Sequence, residues 1–158
     1  MKYLRHIFES DFSVKRGFVS FGQEVKEFAE DCLAYLLDDG FKVEPHIVDL
    51  PNYYAGPFIY LKLTKEDNTG SFASNFTWDE VKDYYIPFIK MLVARYELNY
   101  YEVDGQEVVR FNYGSNTAVE NFTYDQIVED DLYQSNQTTK YGFRPDSKIY
   151  SIGVKISL

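Results

Sequence analysis

The residues able to do chemistry do not converge on a catalytic pattern. The chain has two histidines, His6 and His46, far apart in sequence. Neither has a second ligand at metal-site spacing, and His-Glu-x-x-His, paired Cys-x-x-Cys and zinc-deaminase patterns are absent. There is no glycine-rich phosphate loop and no Gly-x-Ser-x-Gly elbow. Cys32, the single cysteine, excludes an internal disulfide. It falls on the apolar side of a helical repeat, which predicts a buried, inert thiol. Glu129-Asp130-Asp131 near Asp125 has donors for a divalent cation, but consecutive acids at a helix end form a solvated face more often. The same holds for Glu102, Asp104 and Glu107 around a turn. Glu24 and Lys26 have the acid–lysine spacing of a two-metal nuclease, yet they fall on the exposed side of a helix. The expectation is a protein without catalytic residues, metal or cofactor.

Binding chemistry is better represented. Fifteen Tyr and thirteen Phe bring aromatics to 18% of the chain. Tyrosine suits a half-wet sheet face and also a recognition surface. Three segments make up the candidate interaction surface. The first is the loop Pro51–Pro57, with Tyr53 and Tyr54 between prolines. The second is the polar side of a predicted hairpin, with Asn99, Tyr101 and Arg110. The third is the acidic side of the first helix, with Glu24, Glu27, Glu30 and Asp31. Twenty-five acidic against sixteen basic residues give a net charge of −9. That balance argues against a sequence-independent hold on nucleic acid, which depends on cations.

The elements that must position these groups follow from periodicity. One domain, 1–158, fits the length. Val25, Phe28, Ala29, Cys32, Leu33, Leu36 and Leu37 form one apolar stripe, predicting a helix over 21–39. Ser20 and Gln23 would cap its start, and Gly40 its end. Upstream, Val14–Val19 suits a short strand or hairpin. Residues 41–49 suit a strand that Pro45 either places at a sheet edge or gives a bulge. In 58–64, Ile59, Leu61 and Leu63 alternate with Phe58, Tyr60 and Lys62. Thr77 with Glu80 opens a second helix, stapled by Phe76 and Val81 and buried along Val81, Tyr85, Phe88, Ile89, Leu92 and Tyr96. Pro87 inside it predicts a kink. Asp104-Gly105 predicts a hairpin over 97–113 with Leu98 opposite Phe111. Thr123 with Gln126 opens a short third helix, stapled by Phe122 and Ile127. A last strand over 147–157 turns Tyr150, Ile152, Val154 and Ile156 inward.

The order α-β-β-α-β-β-α-β gives an α+β fold: a mostly antiparallel sheet with two main helices and one short helix on one face. Asn75–Val81 and Asn121–Ile127 match in residue type at every position. A duplicated unit would produce that, as would convergence on one capping solution. No apolar run approaches a membrane span, and the start is too soon interrupted by Glu9 and Asp11 for a signal peptide.

Met1-Lys2-Tyr3-Leu4-Arg5 followed by Phe8-Glu9-Ser10 resembles the opening of small uncharacterised accessory proteins of tailed bacteriophages. Val25–Val43, ending Leu36-Leu37-Asp38-Asp39-Gly40-Phe41-Lys42-Val43, is similar to their next helix and strand. Phe76-Thr77-Trp78-Asp79-Glu80-Val81-Lys82-Asp83 is similar to their second helix start. About half the chain is covered; the inserted His6-Ile7 and the Tyr-rich second half depart from the pattern. The resemblance implies a viral accessory role in the host cytoplasm and carries over no catalytic residue. With the missing catalytic constellation, it leads to the expectation of a non-enzymatic protein that binds another protein, host or viral. Alternatives are a virion or self-assembling protein pairing through its last strand, and a small metal- or nucleotide-binding enzyme using carboxylates.

Overall fold

The computed structural model describes residues 11–48, 58–66, 73–96, 109–114, 119–132 and 146–157. The first helix, α1 (Asp11–Cys32), is interrupted at Leu33 and resumes for one turn as α2 (Ala34–Asp38). Gly40 stops it in the left-handed region at φ 88°, as expected. The start differs from expectation. Residues 11–19 are helix rather than strand or hairpin, so Ser20 lies mid-helix and caps nothing. The stripe in fact runs on upstream through Val14, Phe18 and Phe21 in steps of three and four. Gln23 donates to Glu27 one turn on, at 3.1 Å.

Strands β1 (Phe41–Val48) and β2 (Phe58–Glu66) pair antiparallel, and a two-residue strand, β3 (Ala73–Ser74), pairs with the end of β2. Helix α3 (Trp78–Tyr96) continues through Pro87. Its start is fixed by Glu80, whose carboxylate accepts from the Thr77 N–H at 2.7 Å. Phe76 and Val81, the staple pair, are both buried. Next come β4 (Val109–Asn112), β5 (Val119–Phe122), α4 (Tyr124–Val128) and β6 (Ser151–Ser157). The expected capping box is complete at α4: Thr123 Oγ1 accepts from the Gln126 N–H, and Gln126 Oε1 accepts from the Thr123 N–H.

The main sheet order is β1-β2-β6-β4-β5, with every pair antiparallel. The α+β class stands, and β1 is an edge strand, one of the two arrangements Pro45 allowed. Three expectations are overturned. Phe111 does not face Leu98; it pairs with Glu120 on one side and Ile152 on the other. The sequence reading missed β5 because Val119-Glu120-Asn121-Phe122 lacks a clean alternation; Glu120 is buried. Second, β6 is not an edge strand: β2 pairs with it from Ser151 to Ser157 and β4 from Ser151 to Val154. Third, Tyr150 precedes the strand and is exposed, while Ile152, Val154 and Ile156 are buried.

Register fixes the two faces. Pairs such as Leu61 with Val154, Leu63 with Ile152 and Val109 with Phe122 bring apolar side chains side by side on one face. Against that face pack Phe21, Val25, Ala29 and Leu33 of the first helix, Leu36 of α2, the α3 stripe, and Tyr124 and Ile127 of α4, forming a single core. Burying each large apolar side chain contributes roughly 1.5–3 kcal/mol against chain entropy. Tyr124 also donates to the carbonyl of Lys155 at 2.8 Å, tying α4 to the central strand. Among the described residues no helix is long and apolar enough to cross a membrane.

Candidate functional site

The alternation that buries Ile59, Leu61 and Leu63 must turn Phe58, Tyr60, Lys62 and Thr64 to the opposite face of β2. The pairing register then sets their neighbours. Lys62 stands opposite Gly153, and Gly153 stands opposite Arg110 on its other side. Lys62 and Arg110 thus flank a glycine in one row across three strands. Two strand spacings put their Cα atoms roughly 10 Å apart. Arg110 is exposed and Lys62 is half-buried.

Gly153 is here for space rather than for backbone freedom. A Cβ at this position would coincide with the ring and hydroxyl of Tyr60. The Tyr60 ring therefore reaches over the central strand at Gly153, between the two cationic positions. Burial pushes its hydroxyl pKa up, and the Arg110 charge opposes that rise. The phenol stays neutral at physiological pH, with a dipole available for hydrogen bonding. Beside it Lys155 lies over the Phe58 ring, 4.8 Å from the centroid. Arg110 is oriented by its Nε, which donates to Asn121 Oδ1 at 2.9 Å. That bond uses Nε and leaves the two terminal nitrogens of the guanidinium as its remaining donors.

The electrostatics of this face run against those of the whole chain. Its described carboxylates, Glu44 and Glu66, both pair with Lys42 at the β1 edge, at 3.4 and 3.1 Å. Hydrogen bonding to Glu66, then the charge of Glu44, raises the Lys42 ammonium pKa in return. The middle of the face carries Lys62 and Arg110, with Lys155 buried beside them. Glu44 stands opposite Lys62 on β1 but pairs with Lys42 instead, and among the described residues neither Lys62 nor Arg110 forms an ion pair. A net charge of −9 is thus combined with a local cationic row.

The predicted surface residues separate. Arg110 belongs to this row. Glu24, Glu27, Glu30 and Asp31 line α1, on the far side of the sheet. Glu24 is engaged there by Arg95 at 3.6 Å and by the Tyr96 hydroxyl at 3.4 Å, and Glu30 by Lys26 at 3.8 Å. Tyr53, Tyr54, Asn99 and Tyr101 lie outside the described residues. Cys32 is half-buried rather than enclosed; burial first, then Asp31, raises its pKa against the pull of Arg95, which keeps the thiol protonated. Asp130 accepts from the Trp78 indole N–H at 2.7 Å and lies 3.6 Å from Lys82. Among the described residues no three metal-ligating side chains converge.

Sequence reasoning placed Tyr60 and Lys62 on one face of β2 but gave them no role. It did not single out Gly153. The signal was a lone glycine inside an otherwise β-forming run, a sign of close approach by another group. Comparison of the chain with family models, with curated proteins and with solved structures gives no match.

Proposed function

We propose that this chain is a non-enzymatic accessory protein, of the kind tailed phages encode, that acts in the host cytoplasm by holding a protein partner. The docking surface is the sheet face turned away from the helices. The observation that carries the reading is the row Lys62–Gly153–Arg110 with Tyr60 laid across it. Such a row offers fixed cations, a neutral phenol and flat aromatic area on a rigid sheet, the ingredients of a recognition surface. The self-assembling alternative has less to work with, because β4 already pairs with β6 over Ser151–Val154. The β1 edge is blunted by Pro45 and the charges of Lys42 and Glu44, which disfavour edge-to-edge pairing.

Capture from host lysate, run in parallel with three proteins, tests this. Wild type and the helix-face pair Lys26→Glu/Lys90→Glu are expected to retain the same partner. Lys62→Glu/Arg110→Glu is expected to lose it. Retention by the sheet-face pair, or loss by the helix-face pair alone, would move the docking surface elsewhere.

A further inference from the structure

The chemistry of the partner follows from the same row, and this inference rests on the docking face proposed above. We infer that the sheet face receives an acidic segment of a protein, presenting at least two carboxylates to Lys62 and Arg110 across Tyr60.

Three features point to carboxylates. First, two cations stand in one row on a chain of net charge −9. Glu44 ends that row opposite Lys62, but its carboxylate is engaged by Lys42 at 3.4 Å, as is that of Glu66 at 3.1 Å. Second, Arg110 is held by Asn121 through Nε. An oriented guanidinium is suited to a planar, bidentate acceptor, which a carboxylate supplies. Third, the Tyr60 hydroxyl lies over Gly153, between the two cationic positions, and a phenol is neutral at physiological pH, so it donates a hydrogen bond to an anion without adding repulsion. The separation of roughly 10 Å between the two cationic positions matches side chains of an extended segment several residues apart, at about 3.3 Å per residue.

Single-stranded nucleic acid is the competing occupant, since a flat aromatic flanked by cations also accepts a stacked base. The observations favour the peptide. The row has two cations for two carboxylates, whereas a polyanion extended along the face meets Glu44 on β1, Glu66 at the end of β2 and a −9 molecule around it. A short segment with two or three carboxylates avoids both.

The test is fluorescence anisotropy with a labelled glutamate-rich peptide of about twelve residues, its glutamine counterpart, and an oligothymidylate of equal length, at low salt. The intact chain is compared with Lys62→Glu/Arg110→Glu and with Lys26→Glu/Lys90→Glu, which changes the net charge equally from the helix side. Circular dichroism checks that each variant is folded, and Arg110→Lys keeps the charge while removing the fork. The glutamate peptide is expected to bind the wild type, to weaken at least about tenfold in the sheet-face pair, and to weaken several-fold in Arg110→Lys. The helix-face pair is expected to bind within about twofold of wild type.

Equal losses in both double variants would reduce the effect to net charge and overturn the inference. So would no detectable binding of the glutamate peptide, equal binding of the glutamine peptide, or tighter binding of the oligothymidylate. The two proposals fail separately. A cellular protein whose capture depends on Lys62 and Arg110, but is not displaced by the glutamate peptide, leaves the docking face standing and removes the acidic partner.

Discussion

The Tyr60 ring occupies the space that a side chain at Gly153 would need. A residue on β2 thus reaches over its neighbouring strand, and the glycine of that strand is what permits it. Gly153→Ala is expected to evict the ring, destabilise the fold by about 1–3 kcal/mol, and weaken any ligand of the sheet face. Urea denaturation of the variant checks the first effect, and peptide anisotropy the second. Tyr60→Ala in the Gly153→Ala background separates them. It should recover part of the stability, since the clash is gone, and none of the binding.

Tyr85 is fully enclosed, and its hydroxyl has no hydrogen-bond partner among the described residues. A buried polar group without a partner costs about 1–3 kcal/mol. Tyr85→Phe removes that group while keeping the ring against Trp78 and Phe88. The variant is expected to be more stable than wild type by about 1 kcal/mol. A chemical denaturation midpoint at or below that of wild type would refute this.

Three tyrosines predict alkaline lability. Burial raises the pKa of Tyr60, Tyr85 and Tyr96 above the ordinary phenol value near 10, most strongly for Tyr85. Between the unfolded and folded values the native state binds more protons than the unfolded chain. Stability is therefore full below about pH 10 and falls as pH rises beyond it. Denaturation curves at pH 8 and near pH 11 are expected to show the drop, and Tyr85→Phe is expected to lessen it. Phenolate absorbance should show a fraction of the tyrosines ionising only as the protein unfolds.

The single tryptophan reports on the α3–α4 junction. Trp78 donates its indole N–H to Asp130, which adopts the left-handed conformation at φ 51° just past α4. Asp130→Ala leaves a buried donor unpaired and places a non-polar residue at a positive φ. The expected cost is about 2 kcal/mol, with a shift in Trp fluorescence. Asp130→Asn keeps an acceptor and is expected to lose less than half as much.

Glu80 joins the start of α3 to the sheet. Its partial burial raises its pKa, but the Thr77 N–H and the Lys65 ammonium outweigh that and hold it below the ordinary value. Glu80→Ala is expected to cost about 1 kcal/mol near neutral pH. The sign follows from the lowered pKa: the contribution is present above about pH 4.3 and lost as pH falls through the folded value. The gap between wild type and variant should therefore close in acid, as followed by thermal midpoints from pH 7 to pH 3.

Local physics made much of this fold legible in the sequence. The stripes of α1 and α3, the caps at Thr77 and Thr123, the stop at Gly40 and the alternation of β2 are all set by neighbours within a few residues. Pro45 narrowed its strand to an edge or a bulge because it lacks a ladder donor, and pairing with β2 alone settles the edge. Asn75–Val81 and Asn121–Ile127 show the reach and the limit of such signals. The same residues make similar helix starts, yet one helix runs nineteen residues and the other five, since length depends on what each packs against.

Tertiary structure decided the rest. Hydrogen-bond pairing between distant strands put β6 in the middle of the sheet and gave Phe111 two partners, neither of them the residue that turn chemistry alone suggested. The candidate site has the same origin. Lys62, Gly153 and Arg110 are separated by tens of residues, and each is unremarkable beside its own neighbours. Only the register of β2, β6 and β4 places them in one row, because strand pairing aligns residues by backbone hydrogen bonds and carries no mark in the local sequence.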